Sequence, residues 1–472
     1  MTSNPLAPEW LSPPVDANAL APAVWPAHAE RDDSGELRIA GVGAAALAAE
    51  YGTPLYVFDE QDARDRAALV RDSFSAAFAP LGAAVHVYYA GKAFLSTEIA
   101  RWMSEAGLRI DVASGGELAV ALAAGVEPAE LGFHGNNKSI AEIDRAVGVG
   151  IGTIVVDSLI EIDRVAEAAN AAGRVQPVRL RINSGVHAST HEYLATARED
   201  QKFGIPLADA VAAVARIRSH ASLAFLGLHS HIGSQIFESD GFAEAARRLL
   251  AVHAELLESG PVPELNLGGG FGIAYTSVDQ VTPLAEIAAD FAQVIRSECA
   301  RLGIPVPDLA IEPGRAIIGT PGVTLYEVGT TKPVEVSLDG GASATRLYVS
   351  VDGGMSDNAR PALYEADYTV RLASRASHAA PVLVRIAGKH CESGDIVVRD
   401  DYLPGDVAPE DLLAVPATGA YCFSLASNYN YLTRPAVVAV RDGRSRLLVR
   451  RETEDDLLRR DLGAQPQGAV RA

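Results

Sequence analysis

Between residues 84 and 314 one pattern recurs along the chain. A short apolar, β-prone run ends on a polar residue or a glycine, and an alanine-rich stretch with helical spacing follows. The runs are AVHVYYA (84–90), LRIDVAS (108–114), LGFHGN (131–136), TIVVDS (153–158), VRLRIN (178–183), FLGLHSHIG (225–233), ELNLGGG (264–270) and LAIEPG (309–314). Between them lie helix-patterned segments such as GELAVALAAG, IEIDRVAEAANAAG, ADAVAAVARIRSH, FAEAARRLLAVHAELLES and PLAEIAADFAQVIRSECARLG. Strands that alternate with helices in this way, eight times over, predict an α/β fold, a (β/α)8 TIM barrel. A doubly wound open sheet also carries ligands at its strand ends. Eight units, with no GxGxxG after the first strand, favour closure.

After Arg315 the period shortens. The segments GVTLYEVGTTKPVEV, TRLYVSVDGG, PVLVRIAGKH and AVVAVRDGRSRLLVRRE alternate and are punctuated by Asp-Gly and Gly-Gly pairs. They predict an all-β C-terminal domain, a β-sandwich or β-barrel. The strand-like TPLYVFD (53–59) precedes the barrel and is expected to join that domain. The division this predicts is an N-terminal arm over 1–34, a barrel over 64–318, a β domain over 35–63 and 319–455, and a flexible tail over 456–472. The arm is rich in Pro and Ala and lacks a sustained period, although Trp10 and Trp25 are expected to pack on something.

Composition narrows the class. At 472 residues two domains are expected, and 48% hydrophobic with 21% charged residues is the balance of a soluble globular protein. A net charge of −20 argues against nucleic acid or an anionic membrane surface as a partner. Cys299, Cys391 and Cys422 cannot build a disulfide framework. The N-terminus lacks a basic region followed by an apolar core, and no window holds about 20 uninterrupted apolar residues. A cytoplasmic location is expected.

In a closed parallel barrel the C-terminal strand ends converge on one face. Lys92, Asp111, His134, Asp157, Asn183, His231, Gly268–Gly270 and Glu312 all fall there. Lys92 follows an apolar strand, and it reads either as a lysine reaching to the rim or as an amine nucleophile able to form a Schiff base. Gly268, Gly269 and Gly270 read as a tight turn or as a backbone cradle for phosphate. Glu312 and Arg315, in EPGR, read either as an ordinary ion pair or as a carboxylate that holds a proton on a heteroaromatic nitrogen beside a planar fork for an anion. His229 and His231 have a metal-like spacing. With no matching cluster of Asp, Glu or His nearby in sequence, no metal is expected, and a neutral imidazole stacking on a flat ring is the alternative.

Taken in order, a Lys in YAGKAF, SGGEL (114–118), HIGSQ (231–235), GGGFG, EPGR, RPALY, CESGD and GAY span roughly 50–440. This ordered set resembles the fold-type III pyridoxal-phosphate decarboxylases, whose barrel is alanine-racemase-like. The resemblance implies pyridoxal 5'-phosphate as cofactor, with Lys92 carrying the internal Schiff base and His231 stacking on the ring. It places Ser234, Gly269, Gly270 and Gly314 at the phosphate and Glu312 at the pyridine nitrogen. Arg315, Arg360, Tyr364 and Tyr421 would contact substrate, Tyr421 also the cofactor, and Arg315 either phosphate or substrate carboxylate. Cys391 would be the proton donor and Glu392 a specificity residue, both reaching the barrel site of a partner subunit in a homodimer. One departure is Asn183-Ser184-Gly185, with Ser where relatives often have Pro.

The reaction implied is decarboxylation of meso-2,6-diaminopimelate to L-lysine and CO2, the last step of lysine biosynthesis. The alternative is a decarboxylase of the same fold acting on ornithine, lysine or arginine. Glu392 after the Cys, and Arg360 in RPALY, favour a substrate whose far end is itself an amino acid. A racemase would need a tyrosine base from the β domain, and a cofactor carrier would lack that domain.

Overall fold

A strand falls on each of the eight runs, three of them starting one or two residues earlier than the run: Val85–Ala90, Arg109–Val112, Leu131–Phe133, Thr153–Val156, Gln176–Asn183, Leu223–His229, Glu264–Asn266 and Asp308–Ile311. Neighbours pair in parallel, and the last returns to the first with Leu309 opposite Val85, so the barrel closes. Such strands are covered on both faces, which is why Thr153–Val156 is buried at every position and shows no alternation. A computed structural model provides this description for residues 4–186 and 202–464. Its contacts divide the chain into a barrel unit, Arg64–Ile273 with Gln280–Ile317, and a β unit, Met1–Ala63, Ala274–Asp279 and Ile318–Ala472.

The turns out of the strands share one device. Ser96, Ser114, Ser139 and Ser158 each cap a helix by accepting a backbone N–H three residues on, from Ile99, Glu117, Glu142 and Glu161. SGGEL is therefore a capped helix start, with Glu117 also accepting from the Ala113 N–H at 2.7 Å. These caps set where the four helices begin. The residue just before the turn is left at the barrel mouth.

The barrel interior holds a buried polar cluster. Arg179 is fully buried and donates to Glu264 (2.9 Å) and to the Tyr88 hydroxyl (2.9 Å). Removing one partner would strand a charge, a loss of about 3–5 kcal/mol. His253 lies in helix Asp240–Leu257, buried, and burial pushes it down to about 4. The unfolded chain takes up that proton below about pH 6.5, whereas the native chain does not. Native stability therefore falls with acidification between about pH 6.5 and 4, by on the order of 1 kcal/mol per pH unit from this group. Urea unfolding at pH 5 and 7.5 should give a smaller pH difference for His253→Leu than for the wild type.

In the β unit, strand Gly322–Ser337 pairs antiparallel with Leu55–Asp59, Ser343–Val351 and Leu412–Val415. Leu55–Asp59 also pairs in parallel with Ala436–Arg441. Part of the stretch read as irregular is ordered: Ala29–Arg31 pairs with Leu37–Ile39, and Val24 and Trp25 are buried. The charged tail likewise begins inside helix Glu454–Leu458, because Thr453 and Asp456 form a reciprocal cap. Among the described residues no helix is long and apolar enough to cross a membrane.

Candidate active site

A cavity of about 260 Å³ opens at the C-terminal ends of the barrel strands, lined among others by Lys92, His134, Arg181, His229, His231 and Glu312. Lys92 sits in the short turn Gly91–Ala93 after the first strand, and its side chain is exposed at the barrel mouth. Gly91 permits this turn, since a Cβ there would come within 2.8 Å of the Asp111 carbonyl.

Glu312 is the electrostatic centre. Its Oε1 lies 2.9 Å from His229 Nε2 and 3.5 Å from His134 Nε2, and accepts from Asn266 Nδ2 at 2.8 Å. Burial alone would raise this carboxyl, but His229 and His134 hold it well below the usual carboxylate range. Burial pushes His229 down to about 4 in spite of Glu312, so at neutral pH an uncharged imidazole meets a carboxylate. Asp111, 3.1 Å from His134 Nε2, is raised by burial, opposed by His134. The neighbours of His229 are distant in sequence: strands three and eight bring His134 and Glu312 to it. Sequence reading placed His134 and Asp111 at strand ends without giving them a task, and it passed over Arg181.

His231 is half-buried, and desolvation followed by Lys92 keeps it well below its usual value. Its Nδ1 accepts the Gly269 N–H at 3.3 Å, which leaves the proton on Nε2. The glycines beside it are sterically required. A Cβ on Gly269 would come within 2.0 Å of the Glu312 carbonyl, and Gly270 has φ +122° with the Gly233 carbonyl 2.6 Å from any Cβ. Gln235 braces this loop by bonding Ile273 in both directions. Arg315 donates to Ser234 Oγ at 3.0 Å, and Gly314 packs tightly on Ala90 and Ala93, whose Cβ atoms lie 3.1 and 3.0 Å from where its own Cβ would stand.

In the β unit, Arg360 and Tyr364 share helix Arg360–Tyr364 but not an environment: Arg360 is 5% exposed and Tyr364 64%. Cys391 is exposed, and its N–H is held by Asn430 Oδ1 at 3.1 Å. Glu392 is exposed in the same turn, where its Oε1 accepts from Ser393 Oγ and the Gly394 N–H. Tyr421 adopts a left-handed backbone (φ 61°).

The donor set fits one cofactor. An amine, a neutral imidazole, an anionic carboxylate and a glycine cradle beside Ser234 and Arg315 are what a pyridine ring bearing an aldehyde and a phosphate requires. Residues 67–319 match the pyridoxal-dependent decarboxylase, pyridoxal binding domain, and the chain is a pyridoxal-phosphate-dependent carboxy-lyase. It is 54% identical over 447 residues to a diaminopimelate decarboxylase of Mycobacterium tuberculosis, covering 93% of this chain and 98% of that protein. To the diaminopimelate decarboxylase of Bacillus subtilis it is 44% identical over 436 residues, 92% of this chain and 96% of that one. The crystal structure of diaminopimelate decarboxylase from M. jannaschii with L-lysine superposes with a TM-score of 0.84 at 32% identity, covering 93% and 98% of the two chains. The chain belongs to the diaminopimelate decarboxylase family, whose reaction converts meso-2,6-diaminopimelate to L-lysine and CO2.

Proposed function

We propose that this reaction runs at the barrel mouth with Lys92 Nζ as the covalent anchor of the cofactor and Cys391 as the proton donor. When bound, pyridoxal phosphate supplies a conjugated ring that accepts the electron pair left as CO2 departs. His231 packs its neutral imidazole on that ring, and anionic Glu312 holds a proton on the ring nitrogen. Gly269, Gly270, Gly314 and Ser234 bind phosphate. Arg315, already bonded to Ser234, joins them. Arg360 and Tyr364 bind the far end of the substrate, Tyr421 contacts substrate and cofactor, and Glu392 meets the distal amine. Cys391 Sγ then delivers a proton to the α-carbon. The observation that carries this reading is the meeting of Lys92, His231 and Glu312 in one cavity beside a loop that admits only glycine.

The active form proposed is a cytoplasmic homodimer in which Cys391 and Glu392 serve the partner's barrel. Exposed Cys391 supports it, as do large exposed apolar side chains in the same unit: Leu363, Tyr364, Tyr429 and Tyr431. All three cysteines are free, which is compatible with a reducing compartment. CO2 release and product identity, measured separately with meso-diaminopimelate, L-lysine, L-ornithine and L-arginine, test the assignment. Lysine should form from meso-diaminopimelate alone. Turnover of a single-carboxylate amino acid instead would overturn the roles given to Arg360 and Glu392.

A further inference from the structure

Arg360 stands in a closed ring of polar contacts within the β unit. Its Nη1 donates to the Tyr368 hydroxyl at 2.6 Å, and that hydroxyl lies 3.6 Å from Cys422 Sγ. The Cys422 thiol donates to Asn358 Oδ1 at 3.5 Å, and the same oxygen accepts the Arg360 backbone N–H at 3.4 Å. Two rings adjoin the guanidinium on neighbouring sides: Tyr275 lies 4.4 Å from its carbon and Tyr368 5.5 Å. Tyr275 and Tyr368 themselves meet edge to face at 5.1 Å.

Every member of this ring except Tyr275 comes from 358–422, and all of them are buried. Burial keeps the Tyr368 hydroxyl well above its usual value, so it remains protonated. It can then accept from Arg360 and donate to Cys422 at once. A guanidinium so held offers a carboxylate one fixed edge, and a planar fork binds a carboxylate bidentately only when its orientation matches.

We propose that Tyr368, backed by Tyr275 and Cys422, is a positioning residue that fixes the Arg360 guanidinium for the substrate carboxylate that survives the reaction. The inference rests on the reading of Arg360 as the contact for the far end of the substrate. Decarboxylation removes one carboxylate of a substrate that has two. The product therefore still carries the group Arg360 would grip, whereas the fully decarboxylated diamine does not.

The test compares Tyr368→Phe holoenzyme with wild type and with Arg360→Ala. Losing a hydrogen bond to a charged group costs about tenfold or more. Tyr368→Phe should raise KM for meso-diaminopimelate and the dissociation constant of L-lysine, measured by calorimetric titration, each by about tenfold. The inhibition constant of 1,5-diaminopentane and kcat should stay within about threefold of wild type. Arg360→Ala should move the same two constants further in the same direction. Should Arg360→Ala shift them while Tyr368→Phe does not, the positioning role is wrong and the reading of Arg360 stands. If Arg360→Ala shifts neither, that reading itself falls and the inference with it. Tyr275→Leu, which removes the face on which the guanidinium rests, gives a second reading should Tyr368→Phe not fold. It should raise both constants several-fold, and unchanged constants would overturn the proposal.

Discussion

Lys92→Ala enzyme is expected to purify without the visible absorbance of lysine-bound pyridoxal and to lose turnover by more than about a thousandfold. The effect is large because no other amine shares the position. Among the residues lining the cavity Lys92 is the one lysine. His231, Glu312 and the glycine cradle remain in the variant, so noncovalent affinity for the cofactor should persist. A spectrum unchanged from wild type would sink the assignment of Lys92. Loss of the covalent band together with all cofactor affinity would mean that the cradle had been misread.

Cys391→Ala should lower turnover by about a hundred- to ten-thousandfold, the range for loss of a positioned general acid, while the absorbance of the bound cofactor stays intact. Activity equal to wild type would make Cys391 an inert surface thiol. The sharper version mixes two inactive proteins. If Cys391 serves the partner's barrel, a hybrid of Lys92→Ala with Cys391→Ala holds one complete site. After random exchange, roughly a quarter of wild-type sites should be restored. No recovery under verified exchange would place Cys391 and Lys92 of one chain together.

The barrel was legible because its strands obey a local rule. Thr153–Val156 is buried throughout and ends at a serine cap, and both signals lie within a few residues. Two-residue pairs such as Val42–Gly43 carry too little pattern to detect, and in helix Glu60–Phe78 the buried stripe opens on small alanines, Ala63 and Ala67, set among charged residues. At the site, Lys92 and the glycines could be read from their own neighbourhoods. The contact of His134 with Glu312 could not, because strand closure makes it and the two are far apart in the chain. Nor could the support around Arg360, where Tyr275 arrives from another part of the sequence.

That origin of Tyr275 has a further consequence. The cradle glycines belong to the barrel unit, and the next few residues, Ala274–Asp279, belong to the β unit. Loop and aromatic support are therefore inherited together. A chimera that grafts a foreign β domain at Ile318 alone would leave Tyr275 behind, opposite an arginine it was not selected to face. Exchange of specificity between relatives calls for moving three segments through four junctions, and the shortest of those segments is six residues long.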